Sequence, residues 1–317
     1  MKENFEQAKQ LIERSQNILL TTHERTDGDD FGSIRALAEL FSSMGKNVRI
    51  AVRGGVPENL RFILGNHKVT EDISDEESFD LLITSGCSNK GRCGNEKIIN
   101  LYIPVLNIDH HPDNTYFGQV NLVDPEKSSV AELVHDFFIF CGWPITPSVA
   151  MSLLTGIFTD TGSFMHSNTK NETLQAAATL VGKGARLPTI AKHTYQGKNL
   201  STLKAWGRAL ENSHYDETQQ MIYSVITEDD FKDLGNISPS AFEGLVETLN
   251  KVPEAKFAMF LKQDGKVVKG SLRSDPYKGI NVAGIAKLLG GGGHKWASGF
   301  SVAGKLVKDP SGTWQVV

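Results

Sequence analysis

The sequence predicts an α/β chain of two domains: a doubly wound, mainly parallel sheet comes first, then a smaller mixed-sheet α/β unit. Three observations carry this reading. Short apolar runs ending in polar residues alternate with segments of helical spacing in the first half. The composition changes after Ala185, just past Gly182-Lys183-Gly184. Beyond it lie two strand-like runs joined by Asp264-Gly265, a hairpin signal. A length of 317 residues agrees with two domains.

In chain order, Phe5, Ala8, Leu11 and Ile12 recur at helical spacing. NILLTTH (17–23) is a short buried strand. Phe31 to Met44 reads as a helix stopped by Gly45. VRIAV (48–52), FDLLITS (79–85) and VLNIDH (105–110) are further strands. SSVAELVHDFFIFCG (128–142) is a helix closed by Gly142, and another runs from Ser148 to about Thr159, after Pro147. Helical segments over 187–212 bridge to the second domain. There MIYSVIT (221–227), KFAMFLKQ (256–263) and KVVKGSLRS (266–274) are strands, Asn281–Leu289 is a helix, and four glycines follow. The boundaries are therefore 1–185 for the first domain, 186–212 for a helical linker and 213–317 for the second domain.

Composition narrows the function. Hydrophobic residues are 39% and charged residues 22%, as in ordinary globular proteins. No run of about 18 apolar residues suggests a membrane helix, and the polar start MKENFEQAKQ lacks a signal core. Three Cys residues (Cys87, Cys93, Cys141), not in C-x-x-C spacing, read as free thiols, so a cytoplasmic protein is expected. A net charge of -4 argues against a long duplex held by counterion release. A small or short phosphate-bearing ligand fits better.

The chemistry gathers where the first-domain elements end. NILLTT runs into His23-Glu24-Arg25-Thr26-Asp27-Gly28-Asp29-Asp30-Phe31-Gly32-Ser33, VLNI into Asp109-His110-His111, and MSLLTGIFT into Asp160-Thr161-Gly162. Open parallel sheets bind ligands outside the carboxyl ends of their strands, so distant segments converge there. Carboxylates packed closely repel, and a divalent cation relieves this. Singly, each feature has a plainer reading: Asp29 or Asp30 as a helix cap, Asp109 as a turn residue before Pro112. Together they indicate a metal site. A mixed Asp/His set suits Mn²⁺ or Mg²⁺ better than structural zinc, and two ions would serve an in-line displacement at phosphorus.

The same residues carry a family resemblance. His23 to Ser33 resembles the first motif of the DHH phosphoesterases, H-x-N-P-D-G-D-A-x-G-S, and Asp109-His110-His111 is similar to the motif that names them. Thr155 to Gly162 (TGIFTDTG) looks like their fourth motif. Gly290 to Gly299 (GGGGHKWASG) is similar to the G-G-G-H-x-x-A-x-G signature of the DHH-associated substrate domain. In build the chain resembles the two-domain nanoRNase and pAp-phosphatase group more than the longer RecJ exonucleases. The resemblance implies ligation of one or two Mn²⁺ or Mg²⁺ ions by His23, Asp27, Asp29, His110 and Asp160. Asp29, His111 and Asp109 would form the catalytic set, with His111 near the scissile phosphate and Asp109 orienting its neighbours. Arg92, Arg273, Gly291, Gly292, Gly293 and His294 would bind substrate. A homodimer is the assembly the resemblance suggests.

Two departures stand out. The second family motif, D-C-S-D-x-x-R, is here Gly86-Cys87-Ser88-Asn89-Lys90-Gly91-Arg92. Gly86 replaces an Asp expected to bridge two metals, and Asn89 a further Asp. Asp30 stands where Ala is usual, so it either substitutes for the lost carboxylate as a metal ligand or caps the helix. The leading expectation is a Mn²⁺-dependent phosphodiesterase cutting short RNA or DNA oligonucleotides, or linear or cyclic dinucleotides, to mononucleotides, with pAp as a further substrate. The alternative is a nucleotide-binding protein impaired in catalysis by Gly86. On that alternative, Gly86→Asp would restore activity.

Overall fold

Six strands form the sheet of the first unit: β1 (Asn17–Thr22), β2 (Asn47–Ala51), β3 (Val69–Thr70), β4 (Leu81–Ser85), β5 (Val105–Asp109) and β6 (Val120–Val123). All pair in parallel, in the order β3-β2-β1-β4-β5-β6. The central strands β4 and β5 are buried throughout, and β1 nearly so. Burial on both faces is why they read as unbroken apolar runs rather than alternating ones. The two-residue β3 and the short β6 carry no such signal. The computed structural model describes residues 1–195, 200–235, 237–242, 244–310, 312 and 314–317.

Among the described residues of this unit the α-helices are α1 (Lys2–Arg14), α2 (Gly28–Ser43), α3 (Glu96–Ile99), α4 (Val130–Cys141), α5 (Pro147–Asp160), α6 (Asn171–Gly182) and α7 (Leu187–Tyr195). Ile18 and Leu20 of β1 face a core built with Phe31, Phe41, Phe137 and Phe138 from α2 and α4. Leu19 and Leu82 face the other way, toward Ile98 of α3. The β1–α2–β2 and β4–α3–β5 connections thus lie on opposite faces, as right-handed crossovers require when the strand order reverses. The reversal falls between β1 and β4.

Helix α2 starts at Gly28, three residues before the expected Phe31. Its N-cap is Asp27, whose carboxylate accepts the N–H groups of Asp29 and Asp30. The capping role weighed for Asp29 or Asp30 therefore belongs to Asp27. Helix α2 lies directly on α5: a Cβ on Gly32 would come 2.4 Å from the carbonyl oxygen of Ser152. Only glycine permits that approach.

The chain divides into two compact units, Met1–Gly197 and Lys198–Val317. Of the expected helical stretch 186–212, α7 and α8 (Leu200–Glu211) are helical, and residues 196–199 lie outside the described residues. The second unit continues with β7 (Ser213–Asp216), β8 (Met221–Ile226), α9 (Glu228–Asp233), α10 (Leu245–Leu249), β9 (Phe257–Asp264), β10 (Val267–Arg273), α11 (Val282–Leu288), β11 (Gly292–Gly293) and β12 (Ala297–Ala303). A small hairpin, β13 (Leu306–Lys308) with β14 (Trp314–Val316), closes it. The main sheet runs β11-β12-β10-β9-β8-β7, with β8 and β9 parallel and the other pairs antiparallel. The hairpin expected at Asp264-Gly265 joins β9 to β10, with Asp264 opposite Val267.

All three cysteines are free thiols. Among the described residues no helix is long and apolar enough to cross a membrane.

Candidate metal centre

In a sheet of this order the crevice opens at the carboxyl ends of the strands where the order reverses. His23 follows β1 there, Gly86 follows β4, and Asp109 ends β5. Helix α2 begins at the same edge with Asp27, Asp29 and Asp30 in and before its first turn. Asp160 is the last residue of α5.

Two clusters result, in each of which three ligand atoms lie within 4.8 Å of one another: His23, Asp27 and Asp30, and Asp29, His110 and Asp160. In the first, Nε2 of His23 lies 2.7 Å from Oδ2 of Asp30 and 3.8 Å from Oδ2 of Asp27. Burial works against a charged ring there, yet hydrogen bonds and charge from Asp27 and Asp30 push His23 up to about 10. In the second, Nε2 of His110 lies 3.8 Å from Oδ2 of Asp160. Nδ1 of His110 meets the carbonyl oxygen of Lys127 at 3.3 Å. That contact puts the ring proton on Nδ1 and leaves Nε2 for the crevice.

Asp29 is fixed by another element. Its carboxylate accepts N–H bonds from Val130 (2.7 Å) and Ala131 (2.8 Å), the first two residues of α4. Even so, burial and the charge of Asp160 raise its carboxyl to about 8. Burial, with the charges of Asp27 and Asp30, raises Asp160 to about 7. Asp160 also sits at the negative end of the α5 dipole, where a carboxylate is disfavoured. Among the described residues no Lys or Arg pairs with any of the four carboxylates; histidines are the ion-pair partners of Asp27, Asp30 and Asp160, and backbone N–H groups hold Asp29.

Asp109 is in neither cluster. It is fully buried, and its Oδ1 accepts the backbone N–H groups of His110 (2.8 Å) and His111 (3.2 Å). The same oxygen takes Nδ1 of His111 at 2.6 Å, and Oδ2 takes the amide of Asn114. Burial alone would raise this carboxyl; the bonds and charge from His111 and the bond from Asn114 hold it below its ordinary value. Asp109 thus both closes the turn after β5 through the two backbone N–H groups and holds the ring of His111. Sequence reasoning missed Asn114, which has no motif signal. It also missed Asn168, whose amide reaches the carbonyl of Ser128 (2.9 Å) and the carboxylate of Asp160 (3.4 Å).

In the second motif, Asn89 caps a one-turn 3-10 helix over Lys90–Cys93 by accepting the N–H of Arg92. The carbonyl of Arg92 accepts the N–H of Glu24 at 2.8 Å, so its loop is tied to that of His23. Arg25 is exposed.

The model for the DHH family, N-terminal domain, matches residues 17–157, and that for the DHHA1 domain matches residues 218–309. The bifunctional oligoribonuclease and PAP phosphatase NrnA of Mycoplasma genitalium is 30% identical over 314 residues, covering 96% of this chain and 94% of that protein. The chain belongs to the DHH family. The NrnA of Thermus thermophilus is 29% identical over 287 residues, covering 90% of this chain and 84% of that protein. The DHH fold is shared with an exopolyphosphatase-related protein from Bacteroides fragilis, at TM-score 0.86 and 24% identity over 95% of this chain and 91% of that one. It is shared more distantly with the exonuclease RecJ bound to manganese, at TM-score 0.51 and 13% identity over 95% and 89%.

The DHHA1 unit holds the remaining expected residues. Arg273 ends β10, where its Nε meets Oε1 of Glu247 at 2.8 Å. Gly292 and Gly293 pair with Gly299 and Ser298, so the glycine run ends in an edge strand. His294 is exposed and starts the turn into β12, exchanging backbone bonds with Ala297.

Proposed function

We propose that this chain is a divalent-metal-dependent phosphodiesterase that cuts short RNA or DNA oligonucleotides, or dinucleotides, to mononucleotides, and that it also removes phosphate from pAp. One observation carries the proposal. Four carboxylates and two imidazoles converge as two three-donor clusters, beside His111 held by the buried Asp109. Relatives named as oligoribonuclease and PAP phosphatase, alike over nearly the whole chain, support it.

The donor set fits divalent ions. Oxygen donors with neutral imidazole suit Mn²⁺ or Mg²⁺, and four acids beside two histidines leave excess negative charge. His23 and Asp27 would hold one ion, and Asp29, His110 and Asp160 a second; Mn²⁺ is the ion we favour. When bound, such ions polarise the phosphoryl oxygens and ease deprotonation of the attacking water. The residues do the rest. His111 gives its Nδ1–H to Asp109, and when the ring is doubly protonated its Nε2–H would donate to a phosphate oxygen or pass its proton to the leaving oxygen. Asp29 stays in position because α4 donates two N–H groups to it. Arg92 offers a planar donor set to a phosphate, and Arg273, His294 and the Gly291–Gly293 backbone offer further substrate contacts. The reading includes a cytoplasmic homodimer.

The test is mononucleotide release from 5′-phosphorylated tri- to pentaribonucleotides, a linear and a cyclic dinucleotide, and phosphate release from pAp. Release should need Mn²⁺, stop with a chelator, and vanish in Asp29→Ala. Absence of turnover on all of them by protein that binds Mn²⁺ would contradict the proposal and favour a nucleotide-binding role.

A further inference from the structure

If the crevice holds divalent ions, as proposed above, its hub lies at the end of β4. Strand β4 lies between β1 and β5, so the residue after it sits between His23 and the Asp109–His110 corner. That residue is Gly86, with no side chain to offer. Its φ is +64°, and its N–H is fixed on the carbonyl of Ile108 at 3.0 Å. A Cβ built on it would lie 1.9 Å from Oδ1, 2.6 Å from Cγ and 2.8 Å from Oδ2 of Asp30. The carboxylate of Asp30 therefore fills the space where a side chain at 86 would begin.

The first turn of α2 does not account for the place of Asp30. Asp27 caps α2, so the helix does not need it. Its carboxylate takes contacts from Ser85 Oγ (3.3 Å) and His23 Nε2 (2.7 Å). It is 2% exposed, a costly place for an acid that serves nothing. Its ligand atoms fall in the same cluster as those of His23 and Asp27.

We propose that Asp30 is the third donor of the first metal cluster, and that residues 30 and 86 form an exclusive pair in which one carries the carboxylate and the other must be small. The helix thereby supplies from one side the group that β4 cannot supply from the other. Of the two roles open to Asp30 from sequence, the ligand role is the one this geometry favours. The pair also reverses an expectation: Gly86→Asp alone would not restore a site, because its side chain would be driven into Asp30.

Mn²⁺ titration calorimetry, and the rise in melting temperature on adding Mn²⁺, test this on the full chain and four variants. Asp30→Asn keeps the volume but removes the charge and turns one of the two accepting oxygens into a donor. It should keep its circular dichroism spectrum and weaken Mn²⁺ binding by roughly ten-fold or more at one site. Gly86→Asp should weaken it as well. Asp30→Ala should bind as weakly as Asp30→Asn, and Asp30→Ala with Gly86→Asp should recover most of the native affinity, since Asp tolerates a positive φ better than most side chains. Native Mn²⁺ affinity in Asp30→Asn overturns the proposal whether or not the paired variant folds. A folded paired variant no better than Asp30→Ala overturns the exclusivity. If the native chain itself binds no Mn²⁺, the metal-dependent reading falls; native binding with an indifferent Asp30→Asn sinks this inference alone.

Discussion

At the scale of single residues, the division of labour among the acids matters most. Asp109 serves the histidines; Asp27, Asp29, Asp30 and Asp160 form the clusters. The two roles separate in a substitution. Asp109→Asn keeps the shape but leaves Nδ1 of His111 facing a neutral amide. We expect kcat on a trinucleotide to fall by roughly 10²- to 10⁴-fold, as when other histidines lose a carboxylate partner. Mn²⁺ affinity should stay within a few-fold of native. Equal losses in both would mean that Asp109 acts through the metal cluster instead. Much at this scale was legible in the sequence, because acids and histidines at strand ends have few other uses. Asn114 and Asn168 were not, since a buried amide that orients an acid leaves no spacing or charge to notice.

At the scale of elements, the contact between α2 and α5 decides whether the clusters form. Asp29 and Asp30 start α2, and Asp160 ends α5. Their distance is set by a packing that depends on Gly32. Gly32→Ala should lower stability by roughly 1–3 kcal/mol in urea unfolding and weaken Mn²⁺ binding with it. Gly182→Ala is the matched control: Gly182 is also helical, but nothing stands within 4 Å of its added Cβ. It should leave metal binding alone and stabilise by at most about 1 kcal/mol. Equal effects of the two would argue against the packing account. The strands and most helices were legible from apolar runs and caps. The start of α2 was not, because Gly28, Asp29 and Asp30 are buried although none of them is a large apolar residue. Polar residues buried for function break the hydrophobic pattern.

At the scale of the whole molecule, the clusters make the metal-free protein sensitive to alkali. Burial first, then neighbouring charge, holds Asp29 up to about 8 and Asp30 and Asp160 up to about 7. His23, also raised, reaches about 10. Each of these binds protons more tightly folded than unfolded. Their contribution is complete below the unfolded values and is lost as pH rises through the folded ones. The melting temperature of chelator-treated protein should therefore fall between pH 5 and pH 8, by on the order of 5 °C. Saturating Mn²⁺, which binds the deprotonated donors, should flatten or reverse that slope. A metal-free protein that gains stability over this range would contradict the charge assignment. The division into two α/β units was legible from composition and the hairpin signal, whereas the thin strands β3, β6 and β11 owe their pairing to neighbours distant in sequence.

The central claim is that the crevice at the β1–β4 reversal holds divalent ions. Crystals grown with Mn²⁺ and measured at its absorption edge test this most directly. The account predicts anomalous peaks within bonding distance of His23, Asp27 and Asp30 and of Asp29, His110 and Asp160. A map with no peak at either cluster, or with peaks only elsewhere on the chain, would contradict it.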